Sequence, residues 1–482
     1  MLVPICTRAD AENERNLLLF GPDLNGAFLL GGDQAVAMQV LAGTPVEEAL
    51  GDLHRRGGVI AGTSAGAAMQ SRTMLAGYAD DQDAPHPLEH GIITLWDGPQ
   101  TRGLAFGQPG IIIDQHFFQR GRLARLLEAI VRPGAPRVGV GIDAYTGLHM
   151  DGEHLKNVFG CYAAAVLDAE SLGAAQSMRY CGERRAVSVR NVLVHLLAPG
   201  PFSYDLAARR HSLADRPSQS PPRRRLAAPP GAGSLLLSGS GDELPSDPAV
   251  QRRFLSAMGA EGPLLVAALD AQHDQAAQQC AASLAQRTSR RVELAHSYDC
   301  LAERLHSTGV YAGIVAAGDG EEMEPERLRA LADAWGAGTA LWLAGAVVSL
   351  AGRWRCGPLP PVQEHDPQQT ARVRAPLQGA TPLSRGLGLL PVAVEPRVLE
   401  ECRWARLFAL AYEQAAQPAL ALGAATTLAV TPQGTEVLGE GTVFALDLRR
   451  ATLALGENSA YVVANGLLDA FAVGDEVTLY VS

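Results

Sequence analysis

Two blocks of this 482-residue chain are copies of one another. TRGLAFGQPGIIIDQHFFQRGRLARLLEAI at 101–130 aligns with SRGLGLLPVAVEPRVLEECRWARLFAL at 384–410, so that Arg122 and Arg125 fall on Arg403 and Arg406, 281 residues downstream. Nearby landmarks keep a similar spacing: Gly32-Asp33 falls on Gly318-Asp319 at 286 and Thr146 on Thr426 at 280. A repeat of this size is a domain, so two related lobes are expected.

Within each copy, short apolar runs alternate with longer amphipathic segments. FLLGG (28–32), GGVIAG (57–62), GIIID (110–114) and RVGVGID (137–143) read as strands, as do SLLLSGSG, PLLVAAL, GIVAAGDG, TALWLAG and PVAVEP further on. The pattern predicts an α/β fold, with a mostly parallel sheet flanked by helices in each lobe. Between the copies, residues 208–233 (ARRHSLADRPSQSPPRRRLAAPPGAG) carry no hydrophobic period, and their Pro, Ser and Arg content reads as a solvated linker. The expected domains are therefore residues 1–207 and 234–482. Ahead of its Gly-Asp landmark the first copy has only the residues to Gly31, whereas the second runs from about Gly233 to Ala317. The first lobe is expected to lack an opening strand and helix, supplied upstream, by the second lobe or by a partner chain.

Charge and cysteine content narrow the function. Forty Lys and Arg against 51 Asp and Glu leave a net charge of −11, the wrong sign for tracking nucleic-acid phosphates. Seven cysteines without a CxxC pair argue against both a zinc site and a disulfide framework, and no metal or cofactor is expected. MLVPICTRADAENER has no basic segment followed by an apolar one, and the longest apolar run, Thr339 to Gly352, is too short to span a bilayer. These features place the expected working compartment in the cytoplasm, away from membranes.

Gly62-Thr63-Ser64-Ala65-Gly66 follows an apolar strand and opens a small-residue helix, the strand-turn-helix setting in which a GxSxG turn exposes a nucleophilic hydroxyl. Backbone N–H groups at that helix start, Ala65 among them, together with Gly32, are candidate oxyanion donors. Asp114-Gln115-His116 sits just past the strand GIII, at the carboxyl end where parallel sheets carry their sites, which makes His116 the leading base. In the following helix Leu123, Leu126, Leu127 and Ile130 form the core stripe. Arg122 and Arg125 lie off it, with Arg120 in the turn before, as a receptor for carboxylates.

GGDQ (31–34), GTSAGAAM (62–69), DQHFFQRGRLARLL (114–127) and GID (141–143) together resemble the cyanophycinase family of serine peptidases over about residues 15–210. The resemblance implies lobes of class I glutamine amidotransferase-like type and cleavage of cyanophycin, a polyaspartate with arginine on each side-chain carboxyl, to β-Asp-Arg dipeptides. It implies Ser64 as nucleophile and His116 as base, with Gln34, Asp114, Gln115, Arg120, Arg122 and Arg125 lining the substrate groove. The family's GIDE motif carries the glutamate that orients the histidine, and here Ala144 follows Gly141-Ile142-Asp143. Asp143 is the available substitute, although strand alternation points it to the opposite face. The second copy places Ala344 at Ser64 and Arg397 at His116, leaving neither nucleophile nor base, which implies a pseudodimer with one vestigial site. A catalytically inactive cyanophycin-binding or regulatory relative is the alternative from a different class. An ordinary α/β-hydrolase esterase is disfavoured by chain order, since that fold places its acid between serine and histidine.

Overall fold

The structure, a computed structural model, describes residues 1–79, 87–240, 247–259, 261–308, 310–319, 324–358 and 366–481. Every strand segment named above forms a strand, including Gly26–Leu29, Val59–Gly62, Ile111–Gln115 and Val138–Ile142 in the first lobe. The result is a mixed α/β fold.

One ten-stranded sheet runs through both lobes. Its main path is Ile111–Gln115, Val138–Ile142, Ala164–Asp168 and Ala186–Leu197, then Tyr461–Phe471, Val443–Asp447, Ala419–Leu422 and Ala393–Pro396. The second four strands repeat the first four in reverse, so the path reads alike from either end. At its centre the two longest strands of the chain pair antiparallel, with Leu193 opposite Leu467 and Val194 opposite Gly466. Strands here are mostly antiparallel, and only the two outermost pairs are parallel. The expectation of a mostly parallel sheet therefore fails for this layer. Within each half only the outermost pair is linked by a crossover helix, Leu123–Val131 or Trp404–Glu413, as a parallel pair requires. The helices Leu123–Val131 and Trp404–Glu413 cover this sheet, and Phe118, Leu127, Trp404 and Phe408 share one core across the lobe boundary.

A seven-stranded sheet belongs to the second lobe alone. It runs Val292–Ala295, Leu264–Ala268, Gly313–Ala317, Ala340–Ala344 and Leu235–Ser238 in parallel, then continues into the antiparallel hairpin Thr426–Thr431 and Gly434–Gly439. In the first lobe the corresponding strands fall into two pieces. Gly26–Leu29 pairs with Val59–Gly62 as a two-stranded parallel sheet, and Thr146–Asp151 with His154–Gly160 in a separate four-stranded one.

Residues 208–233 are mostly exposed, as a linker would be, but they are tied to the fold at two places. Arg210–His211 pairs with Tyr204–Asp205, and Arg223–Arg225 pairs antiparallel with Thr478–Tyr480. Arg223 forks onto both carboxylate oxygens of Asp469 at 2.8 Å and donates to Asn191 Oδ1 at 2.8 Å, while Leu226 and Ala228 enter the second-lobe core. Composition marks the segment as polar, but the arginine finds buried acceptors contributed by both central strands.

Two predictions follow from this junction. Asp469 is buried and also accepts from the Asn191 N–H and the Tyr480 hydroxyl, so Asp469→Ala removes the acceptor of three groups, one of them the half-buried Arg223 guanidinium, and is expected to cost about 3 kcal/mol in urea unfolding. It should also open residues 208–233 to limited proteolysis. The second concerns His195 and His211, whose rings stack at 5.9 Å in the same region. Burial pushes His195 down to about 3 and His211 down to about 4, from 6.5. The unfolded chain takes up these protons as pH falls through about 6.5 while the folded one does not. Stability should be full above that value and decline toward pH 4, and His211→Gln should flatten the decline in a pH series of urea midpoints.

Candidate active site

The glycines of the GTSAG turn are required by backbone contact. A Cβ on Gly62 would lie 2.1 Å from the Gly66 carbonyl oxygen, and one on Gly66 would lie 2.3 Å from that of Leu29. This close approach lets the strand pass directly into the helix Ala65–Ala68 with Ser64 at the bend in a left-handed conformation, φ 54°. A non-glycine residue held there stores strain, a feature that concentrates at working sites.

His116, also at positive φ (47°), ends the strand Ile111–Gln115, and its Nε2 lies 3.1 Å from Ser64 Oγ. The Ser64 hydroxyl also lies 3.4 Å from Gln115 Oε1. On its other side His116 Nδ1 pairs with Gln119 Oε1. An amide oxygen only accepts, so this contact places the histidine proton on Nδ1 and leaves the Nε2 lone pair for the serine proton. Gln119 was not among the residues singled out from the sequence. Its signal was its place three residues after His116 in the turn HFFQ.

Burial pushes His116 below the ordinary histidine range, the Arg120 and Arg122 charges add to that, and the Gln119 contact and Asp114 oppose it. The site therefore holds a neutral imidazole at pH 7, the form a base requires.

Asp143 does not reach His116. It accepts from the N–H groups of Phe118 at 2.8 Å, Gln119 at 3.2 Å and Ala144 at 3.0 Å. Burial pushes its carboxyl up to about 6 against those three bonds. Strand alternation sends this side chain under the 116–119 turn, where it holds the backbone that carries both His116 and Gln119. Its expected role as substitute acid is corrected to that of a brace.

The proposed arginine receptor is also corrected. Arg125 forks onto Asp114 at 2.8 and 2.6 Å, and Arg122 donates to the Gln115 carbonyl at 2.8 Å. Asp114, Arg122 and Arg125 are all buried, because the helix Leu123–Val131 is covered on its polar side as well as along its apolar stripe. Burial raises the pKa of Asp114, and the Arg125 charge with Arg122 behind it more than offsets this, so the carboxyl stays below its usual range. The second lobe keeps the same arrangement. Glu395 receives Arg406 at 2.8 Å and Arg403 at 3.2 Å, although Arg397 stands at the position of His116. A network retained without the dyad serves the fold. Arg120 is the half-buried member of the trio.

Gln34 is buried and donates its amide to the Leu75 and Ala76 carbonyls at 3.1 and 3.0 Å, which leaves its oxygen as the group a ligand can use. Gly31 packs against Ser64, and Gly32 adopts φ 135°, open to glycine alone, which places the Gly32 turn beside the serine as an oxyanion donor requires. In the second lobe the counterpart of Ser64 is Gly345 rather than Ala344. Gly345 has the matching left-handed φ of 84° at the start of the short helix Ala346–Ala351, 281 residues from Ser64, the same spacing as from His116 to Arg397.

No known family model matches the chain. Among curated proteins, the cyanophycinase of Trichormus variabilis is 33% identical over 177 residues, 36% of this chain and 55% of its own length. The cyanophycinase of Geminocystis herdmanii is 30% identical over 174 residues, 36% of this chain and 60% of its own length. That of Synechococcus elongatus is 30% identical over 194 residues, 40% of this chain and 56% of its own length. The chain thus spans less than two thirds of each relative. A solved peptidase from an acI-B1 actinobacterium overlays 52% of this chain and 97% of its own at 14% identity and a TM-score of 0.35, too distant to carry an argument. Over its N-terminal region the chain is therefore similar in sequence to cyanophycinases.

Proposed function

We propose that the first lobe is a serine-type exopeptidase that cleaves cyanophycin, or a shorter aspartyl-arginine peptide, to β-Asp-Arg dipeptides. The observation that carries this reading is the 3.1 Å contact between Ser64 Oγ, on a strained turn, and the Nε2 of a histidine whose Nδ1 is already engaged. Ser64 Oγ attacks the scissile backbone carbonyl while its proton passes to His116 Nε2. The carbonyl oxygen gains negative charge and is held by the Gly32 and Ala65 N–H groups. His116 then protonates the leaving amine, and water repeats the sequence on the acyl-enzyme to free the serine. Gln115 and the oxygen of Gln34 meet the substrate's guanidinium, and Arg120 meets a carboxylate.

The reading extends to the whole chain as an internal pseudodimer of two glutamine amidotransferase-like lobes. Gly345 and Arg397 stand where the first lobe has Ser64 and His116, which leaves the second lobe noncatalytic. It supports the first through Arg372, which donates to the Gln119 carbonyl at 3.4 Å, and through Phe408, whose ring meets Phe118 edge-on at 5.4 Å. Seven cysteines held as free thiols fit a reducing compartment such as the cytoplasm.

The test is dipeptide release from cyanophycin. Ser64→Ala and His116→Ala are each expected to lower kcat at least about 1,000-fold with little change in binding. Wild-type turnover in Ser64→Ala, or binding without turnover in the unaltered chain, refutes the assignment.

The neutral partner of His116 yields a second prediction. Gln119 fixes the tautomer but cannot neutralise the imidazolium that forms in the transition state. Gln119→Glu is expected to raise kcat about ten-fold with KM nearly unchanged, and to move the acid limb of the kcat/KM profile to higher pH. In the unaltered enzyme that limb lies below pH 6.5, since the base titrates below the ordinary histidine value. Arg120→Gln, which removes one of the charges holding it down, should also move the limb upward.

A further inference from the structure

The second lobe has no serine at the nucleophile position, yet its parallel sheet gathers a set of hydrogen-bond acceptors there. Leu264–Ala268 and Gly313–Ala317 are neighbours in that sheet, but the chain leaves them in opposite directions, toward Val292–Ala295 from the first and toward Ala340–Ala344 from the second. Strands that part in this way open a crevice at their carboxyl ends, the place where open α/β sheets take ligands. Asp270 follows the first of these strands and Gly318-Asp319 the second, and the Asp319 N–H donates to Asp270 Oδ2 at 2.8 Å.

Asp270 Oδ1 also receives His273 Nδ1 at 2.6 Å. A carboxylate only accepts, so the ring proton sits on Nδ1 and Nε2 presents a lone pair. His273 is 4% exposed, and among the described residues its Nε2 has no hydrogen-bond partner. That nitrogen lies 3.6 Å from where a Cβ on Gly345 would stand, with the carbonyl oxygens of Gly318 at 2.9 Å and Ser240 at 3.6 Å around the same point. Gly345 is the counterpart of Ser64, so each lobe aims an imidazole nitrogen at this position, but His273 comes from a different part of its lobe than His116 does. A buried polar atom without a partner in the protein calls for an occupant that supplies one.

We propose that this crevice is a second, noncatalytic site that binds a guanidinium group. The His273 lone pair and the two carbonyl oxygens around Gly345 all accept, and the carboxylates of Asp270 and the exposed Asp319 make the crevice negative, so the occupant is a cation with several N–H donors. A guanidinium carries five donors in a planar fork and reaches acceptors that stand apart, which a compact ammonium does not. Glycine at 345 belongs to the site, because a Cβ there would close on the Gly318 carbonyl oxygen. Arg397, at the His116 position, does not oppose a cation, since its own charge is paired with Glu401 Oε1 at 2.8 Å. The choice of guanidinium over other N–H cations rests in part on the proposed function, whose substrate carries arginine side chains.

The site is tested on the full chain by following the His273 imidazole resonances, assigned by their loss in His273→Gln, as butylguanidinium is added. They are expected to shift and saturate with a Kd of about 10 mM or tighter. Gly345→Ala, which fills the space over the backbone, and Asp319→Asn, a surface change that leaves the core untouched, should each weaken binding at least about five-fold. Ser64→Ala protein should respond as the unaltered chain does, so failure of the hydrolase reading leaves this result intact. Resonances unmoved at about 50 mM butylguanidinium overturn the proposal. Butylammonium that binds as tightly as butylguanidinium overturns the guanidinium assignment in favour of an ammonium site.

Discussion

The antiparallel pairing of Ala186–Leu197 with Tyr461–Phe471 is the contact on which the rest of the molecule depends. It turns two four-stranded halves into one sheet and brings the helices Leu123–Val131 and Trp404–Glu413 into a single core. It also creates the junction where Arg223, Asp469, Asn191 and Tyr480 exchange their hydrogen bonds. Two lobes joined only by a tether would move independently, whereas lobes sharing a buried strand ladder transmit position from one to the other.

That transmission reaches the candidate site. The turn carrying His116 and Gln119 is held from beneath by Asp143, which accepts two of its backbone N–H groups. It is held from the side by Arg372 and Phe408 of the other lobe. The Asp114–Arg125 pair anchors the strand end and helix start that flank the turn. Because the second lobe repeats this ionic anchor with Glu395 and Arg406, the anchor is separable from the Ser64–His116 pair: the anchor recurs wherever this strand-turn-helix unit occurs, the pair only in the first lobe.

The chemistry was legible wherever it depended on local order. GTSAG dictates a strained turn because its glycines are the only residues that fit the backbone crossings at 62 and 66, and this demand is visible in a run of five residues. The serine, the histidine and the double lobe were readable for the same reason, as were the strands around them. Gln119 was harder to read, since a glutamine in a turn carries no signal until the fold curls it onto the imidazole. Asp143 carried a correct hint in its strand alternation, but its actual partners are backbone groups from a segment 24 and 25 residues away.

By itself the sequence determined the repeat, the α/β alternation, the elbow and which serine and histidine would meet, because each rests on the spacing of residues close along the chain. Only the tertiary structure decided that Arg122 and Arg125 are buried braces and that residues 223–225 pair with the last strand. It alone decided that the shared sheet is mostly antiparallel and that Val59–Gly62 and Thr146–Asp151 lie in separate sheets. The physical reason is that burial and pairing belong to surfaces that meet across long separations. A charged side chain reads as solvated until the fold brings a carboxylate such as Asp469, 246 residues from Arg223, within 2.8 Å.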